Sequence, residues 1–300
     1  MPSHRVKDWL LLLALVAMWG SAFMFVKIAV DTIPPATIAA SRLVIGALVL
    51  LAVIHARGLR LPSFAKVWRQ YALLALIGNA IPFYLIAWGQ QAIDSALAGI
   101  LIAIMPLATL VLAHHFVHGE HITRNRAIGF VLGFSGIVLL MGPAALTGLA
   151  GSALQVVSQL AVLAGALCYA ANTVVARLSV KSDVLVASAA VLLLASAMMV
   201  PVALVLDHPW ALLPSTASVA SVVWLGIGAT GIATIFYFFL IGSAGPTFMS
   251  LVNYISPCVA LLLGVVIMNE EPGPNAYAGL ALILSGIALS QYRRGPPPAP

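Results

Sequence analysis

The stretch WLLLLALVAMWGSAFMFV, from Trp9 to Val26, runs 18 residues without a charge. A helix rises about 1.5 Å per residue and a bilayer core is about 30 Å thick, so roughly 20 apolar residues cross it. The run is therefore the centre of a membrane span. Arg5 and Lys7 ahead of it resemble the start of a signal peptide. The run is longer than a typical signal core and no small-residue cleavage site follows, so it reads as an uncleaved first span. The rest of the chain agrees: 62% of its 300 residues are hydrophobic, 7% are charged, and mean hydropathy is +1.10. A soluble domain carries about 25% charged residues. Soluble enzymes, secreted domains and nucleic-acid binders are excluded on that ground.

Further spans follow by the same count. Gln70 to Ile93, Ser95 to Ala113 and Val184 to Leu206 carry no charge. Two longer uncharged stretches must be divided. Ala127 to Ala176 is 50 residues and breaks from Gly142-Pro143 through Gly151. Pro209 to Asn269 is 61 residues and breaks at Gly245-Pro246, after an entry loop holding Pro209 and Pro214. With spans near 36–55 and 274–292, the chain reads as an all-α polytopic membrane protein of ten transmembrane helices, with loops too short for a soluble domain.

An even number of spans puts both termini on one side. With that side cytoplasmic, Arg5, Lys7, Arg57, Arg60, Lys66, Arg69, Arg124, Arg126, Arg177, Lys181, Arg293 and Arg294 all fall inside. Asp31, Asp94, Asp207, Glu270 and Glu271 fall outside. This bias is the positive-inside pattern, and it accounts for the net charge of +6 without a nucleic-acid partner. The expected location is the inner membrane, multi-pass, with the lipid bilayer as partner. Cys168 and Cys258 lie in apolar stretches and read as small core residues, not a disulfide framework. The tail 295–300 reads as disordered.

The halves repeat at an offset of 150–151 residues. Ala17-Met-Trp-Gly-Ser-Ala-Phe in span 1 lies over Leu167-Cys-Tyr-Ala-Ala-Asn-Thr in span 6, with Lys27 over Arg177. Phe83-Tyr84 answers Phe236-Tyr237, allowing a short indel, and Pro106 answers Pro257, each with a glutamate following (Glu120, Glu271). Ser135-Gly-Ile-Val-Leu answers Ser285-Gly-Ile-Ala-Leu. Five spans per half is odd, so the second half enters the membrane inverted: a 5+5 arrangement of 1–143 and 152–294, joined by a linker at 144–151. Inverted repeats mark secondary transporters, whose solute site lies near the midplane between the repeats.

Taken together, the paired five-helix halves, Trp19-Gly-Ser-Ala-Phe, Arg42 early in span 2 and the Pro-then-Glu pattern resemble the EamA-type branch of the drug/metabolite transporter superfamily. The resemblance covers about residues 10–292. It implies a ten-helix carrier with helices 1, 3, 4, 6, 8 and 9 around a central cavity and helices 5 and 10 at the periphery. It also implies export of amino acids or related metabolites, with sugars, nucleotide-sugars and cationic drugs as the other solutes of such carriers.

Polar groups at membrane depth are costly and face a bundle interior or a wet cavity. On span 9, Ser250, Asn253, Ser256 and Pro257 recur at helical spacing. On span 4, Ser95, Gly99, Ile102, Pro106 and Thr109 make the matching stripe. Each proline removes a backbone donor and frees a carbonyl at position i−4, that of Ile102 or Asn253; such a carbonyl either meets a ligand or is satisfied within a structural kink. Span 3 offers Asn79, Pro82 and Ile86 on one face and Tyr84 with Trp88 on the other, Asn79 being the favoured midplane group. Trp19 and Phe23 of span 1, Tyr169 and Asn172 of span 6, and Tyr237 of span 8 complete the expected cavity. Aromatic walls with a few amides suit a neutral or zwitterionic solute with an apolar side chain.

The absences narrow the choice. The spans hold no deep carboxylate, which disfavours a cation exchanger. Arg42 is the one firmly intramembrane charge; there, pairing with helix carbonyls or snorkelling outward weighs more than meeting a solute carboxylate. Lys27 is expected to snorkel likewise. His114, His115, His118 and His121 cluster at a helix end, entering a basic loop with no cysteine, and read as interfacial and not as a metal site. Gly226-Ile-Gly-Ala-Thr-Gly231 matches a dinucleotide pattern with no strand before it, so that reading fails. Gly129, Gly133 and Gly136 read as helix packing, within a monomer or in a weak homodimer. No catalytic group, cofactor or metal is expected. The reading is a secondary transporter of amino acids or similar small molecules, with a multidrug or nucleotide-sugar carrier as the alternative and a membrane enzyme as the more distant rival.

Overall fold

Val6 to Val30 forms one unbroken helix, α1, with no proline in its length. A computed structural model of the protein describes residues 6–63, 65–117, 122–141, 153–178 and 183–291. Proline begins the next helix, α2 (Pro35–Ala56), where its missing N–H is an orphan in any case. Helix α3 comes in three pieces: Ala65–Ala75, a π-helical turn Leu76–Ala80, and Ile81–Gly89. The Ile81 N–H reaches back five residues to the Leu76 carbonyl, just ahead of Pro82, which has no N–H to give.

Helix α4 is divided into Ser95–Ile102 and Met105–Phe116. There follow α5 (Arg124–Met141), α6 (Ala153–Leu178) and α7 (Val184–Leu206). Helix α8 contains Thr216–Gly226, a π-helical stretch Ile227–Ile232 and Ala233–Met249, interrupted at Gly245 with φ 83°. Helices α9 (Val252–Ile267) and α10 (Pro274–Gln291) complete the described chain. Helices α1 to α8 are long and apolar enough to cross a membrane, the last of them over Thr216–Gly245; α9 is a shorter apolar helix. The linker 144–151, the tail 295–300, Glu120, His118 and His121 lie outside the described residues.

Packing divides the helices into a ring and two outer pairs. Helix α1 lies against α8 and α9, α9 against α4, α4 against α6, and α6 against α3. The ring is loosest between α3 and α8; α2 lies along that seam and touches both. Outside the ring, α2 pairs with α7 through Leu43, Leu50, Ala189 and Leu192. Helix α5 pairs with α10, backbone against backbone: a side chain on Gly129 would strike the Gly286 carbonyl, and one on Gly136 would lie 2.7 Å from the Gly279 oxygen. The Gly129–Gly133–Gly136 face is thus buried within the monomer.

Carboxylates tie elements of the first half to elements of the second. Glu270, before α10, accepts from the Ser95 N–H (2.8 Å), the Ser95 hydroxyl (2.6 Å) and the Ala96 N–H (2.9 Å) at the start of α4. Asp207, after α7, accepts from the Thr37 N–H (2.6 Å) and hydroxyl (2.9 Å) in the first turn of α2. Both fill a helix N-terminus with negative charge, satisfying donors that have no intrahelical partner. At the opposite end of the bundle, buried Asp8 of α1 accepts from the Ser243 hydroxyl of α8 at 2.6 Å.

Candidate functional site

The seam between α3 and α8 brings together groups that the sequence scatters. Helix α2 can approach α8 because Gly226 and Gly231 carry no side chain: a Cβ on either would lie 2.5 Å from Ile45 or 2.7 Å from Val49. Gly46 in turn accommodates Thr230. The pattern that mimics a dinucleotide loop is therefore a packing face. Close approach places the Arg42 Nε 2.8 Å from the Thr230 hydroxyl, to which it donates. Across the seam the guanidinium carbon sits 3.9 Å from the centre of the Phe83 ring of α3, a cation–π contact. Tyr169 of α6 is its electrostatic neighbour. Arg42 thus points toward α3, α6 and α8 and does not snorkel outward; its contact is a hydroxyl, not a helix carbonyl. Among the described residues no carboxylate pairs with it.

Lys27, for which snorkelling is the expectation, is held by backbone carbonyls. Its ammonium donates to the carbonyls of Gln90 (3.0 Å) and Ile93 (2.9 Å), just beyond the end of α3, while the Gln90 amide donates to the Phe23 carbonyl at 2.9 Å. Its counterpart Arg177, at the end of α6, is exposed.

The two π-helical stretches occupy matched positions in the halves, and within them Asn79 answers Thr230. A π turn inserts one extra residue and re-aims the side chains around it, a feature common at functional sites. Next to Asn79, Gly78 leaves room for Asn172 of α6: a Cβ there would stand 2.5 Å from the amide oxygen. That oxygen is buried with no hydrogen-bond partner, and so is the Ser256 hydroxyl of α9. The partly buried side-chain amides of Asn79 and Asn253 make no hydrogen bond with other described residues. Buried polar atoms are satisfied in the great majority of cases; the Gln90 and Gln159 amide oxygens and the Ser158 hydroxyl are buried and unpaired as well.

The prolines behave differently. Helix α4 breaks at Ala103–Ile104, just before Pro106, which has no N–H for the Ile102 carbonyl. Pro257 stays inside a continuous α9. Trp19 of α1 donates to the Ala229 carbonyl of the α8 π stretch (3.2 Å), and its ring lies 5.8 Å from that of Tyr237. Phe23 packs with Ile102 and Tyr254 against the cluster of α4, α6 and α10.

Pro82 is buried with its carbonyl toward Gly165 of α6, while Phe83 and Tyr84 both pack against the α2–α7 cluster, Phe83 being the ring that Arg42 covers. Ser250 lies in the turn before α9, not on its face, with its hydroxyl 3.5 Å from the Gln291 side chain. Phe83 and Thr230 were not expected. The usable signals were the four-residue spacing from Asn79 to Phe83 and the repeat offset from Asn79 to Thr230.

Two clefts open at the bundle end that holds Asp94 and Glu271. One of about 210 Å³ is lined by Asp94, Gln159, Glu271 and Asn275; the other, about 290 Å³ and mostly apolar, lies between α2 and α8 beside Thr37 and Val222. Neither contains a candidate residue. The His114 and His115 rings are 5.1 Å apart, and among the described residues no three metal-ligating side chains come together.

Known proteins share this architecture. A solved crystal structure superposes with a TM-score of 0.68 at 23% identity, over 96% of this chain and 98% of that one, which establishes a common fold. The "Uncharacterized inner membrane transporter YedA" of Escherichia coli (strain K12) is 25% identical over 279 residues, 93% of this chain and 88% of that protein. The "Probable terminal-alkyne amino-acid exporter" of Streptantibioticus cattleyicolor is 28% identical over 288 residues, 95% of this chain and 93% of its own. The EamA-like transporter family matches twice, over residues 7–142 and 157–292, once for helices α1 to α5 and once for α6 to α10. With nearly its whole length accounted for in these two copies, the chain belongs to the EamA-like transporter family.

Proposed function

We propose that the protein exports amino acids and related small metabolites across the inner membrane by alternating access. In this reading all ten helices span the bilayer, both termini face the cytoplasm, and residues 1–143 and 152–294 form inverted repeats that rock about a midplane site. The observation that carries it is the set of unpaired polar groups on α3, α6 and α9: the Asn172 and Ser256 oxygens are buried without partners, and the Asn79 and Asn253 amides are equally uncommitted. A protein interior keeps buried groups such as the Asn172 and Ser256 oxygens at a cost of about 1–3 kcal/mol each unless a ligand or water satisfies them. The relatives support the same reading, one named an inner membrane transporter and another an amino-acid exporter. Aromatic Trp19 and Phe23 on α1, Tyr169 on α6 and Tyr237 on α8 favour a solute with an apolar side chain.

The test is flux. Purified protein in liposomes, offered a panel of radiolabelled neutral amino acids, is expected to give saturable movement of at least one. Absence of saturable flux across the whole panel would overturn the substrate assignment.

A further inference from the structure

We propose that Arg42 is the anion-binding subsite of the carrier, gripping the carboxylate of the transported solute at the α3–α8 seam. The inference rests on the export reading above and gives it a chemical requirement: the solute must bear a carboxylate. Arg42 lies seven residues into α2, about 10 Å along the axis from Pro35 and hence inside the hydrocarbon layer. A cation at that depth requires compensation. Here the compensation is partial. Of the five N–H donors of a guanidinium, Nε–H is taken by Thr230 and one face of the plane is covered by Phe83. Among the described residues Arg42 makes no other hydrogen bond and no ion pair.

Thr230 and Phe83 therefore orient the fork while leaving its outer donors open. A planar fork of that kind matches a carboxylate through two parallel hydrogen bonds. The tethers come from opposite halves, Phe83 from the first and Thr230 from the second. A carboxylate bound there would sit where relative movement of the halves is felt. On α6, three residues beyond Tyr169, the Asn172 oxygen accepts from no donor among the described residues, so it is available to an ammonium or hydroxyl of the same solute.

The full-length protein in liposomes tests this with radiolabelled L-leucine as probe and two competitors: 4-methylpentanoate, which keeps the carboxylate and lacks the amine, and leucinamide, which keeps the amine and lacks the carboxylate. The expected result is leucine flux inhibited by 4-methylpentanoate and untouched by leucinamide. Arg42→Gln is expected to lower leucine flux roughly 10-fold or more, the loss typical of a charged hydrogen bond, and to abolish the discrimination between the competitors. Arg42→Lys, which keeps the charge without the fork, should restore part of the flux.

Equal inhibition of the wild type by leucinamide overturns the anchor and needs no variant, so the test survives misfolding of Arg42→Gln. Wild-type flux and discrimination in a folded Arg42→Gln protein overturn it as well, while leaving the export reading intact. If the wild type carries no amino acid at all, the export reading fails first and the anchor falls with it.

Discussion

At the scale of single residues, the molecule keeps polar atoms unsatisfied where an ordinary core would not. The Asn172 oxygen is buried beside Gly78 with no donor. Replacing it with leucine removes that atom in a side chain of similar size, so Asn172→Leu should raise stability in detergent by about 1–3 kcal/mol. Transport should fall in the same variant, the opposition expected of a site that sacrifices stability for function. A thermal melt and a flux assay on one preparation check both halves; lower stability together with normal flux contradicts the assignment. Asn79→Ala and Asn253→Ala should each reduce flux several-fold while membrane insertion, read from the yield of folded protein, stays normal. Wild-type flux in either variant removes that residue from the site. The sequence already exposed these amides, since an asparagine among apolar neighbours stands out by composition alone. It did not expose Phe83 or decide the direction of Arg42, because both depend on which helix α2 packs against, and no local pattern carries that information.

At the scale of elements, helix ends are capped from far away. Asp94 occupies the N-cap position of α4, yet its side chain makes no capping bond; Glu270 satisfies the first donors from 175 positions along the chain. Glu270→Ala should lower stability by about 1–2 kcal/mol, in the range for a lost N-cap, as measured by unfolding in detergent with Glu271→Ala as the exposed control. Equal effects in the two variants would deny Glu270 its capping role. The α5–α10 pair depends on backbone contact, so Gly286→Val should destabilise by about 1–3 kcal/mol through overpacking; an unchanged melt would mean that these helices separate freely. Most spans were legible, because about 20 apolar residues in a row admit one arrangement in lipid. The π-helical stretches were not: a single extra residue in a turn leaves no periodic trace, and only Pro82 hinted at it.

At the scale of the whole molecule, the two halves are joined by contacts at both ends of the bundle. Glu270 with Ser95 and Asp207 with Thr37 lie at one end, and Asp8 with Ser243 lies at the other. A carrier whose halves rock must break one set to form its alternative. With Cys168 and Cys258 replaced by alanine, a disulfide between cysteines introduced at Ser95 and Glu270 should stop flux when oxidised and release it when reduced. Full flux in the cross-linked protein would show that this end never opens. The sequence by itself determined the membrane class, the approximate course of most spans, and the family, because hydropathy over long runs and a repeat at fixed offset are properties of the chain alone. Only the tertiary structure decided which polar groups are left without partners, that α2 enters the α3–α8 seam, and that Arg42 turns inward on Phe83 and Thr230. Those outcomes depend on the fit of small residues such as Gly46, Gly226 and Gly231 between helices distant in the chain, and close packing is settled only when the surfaces meet.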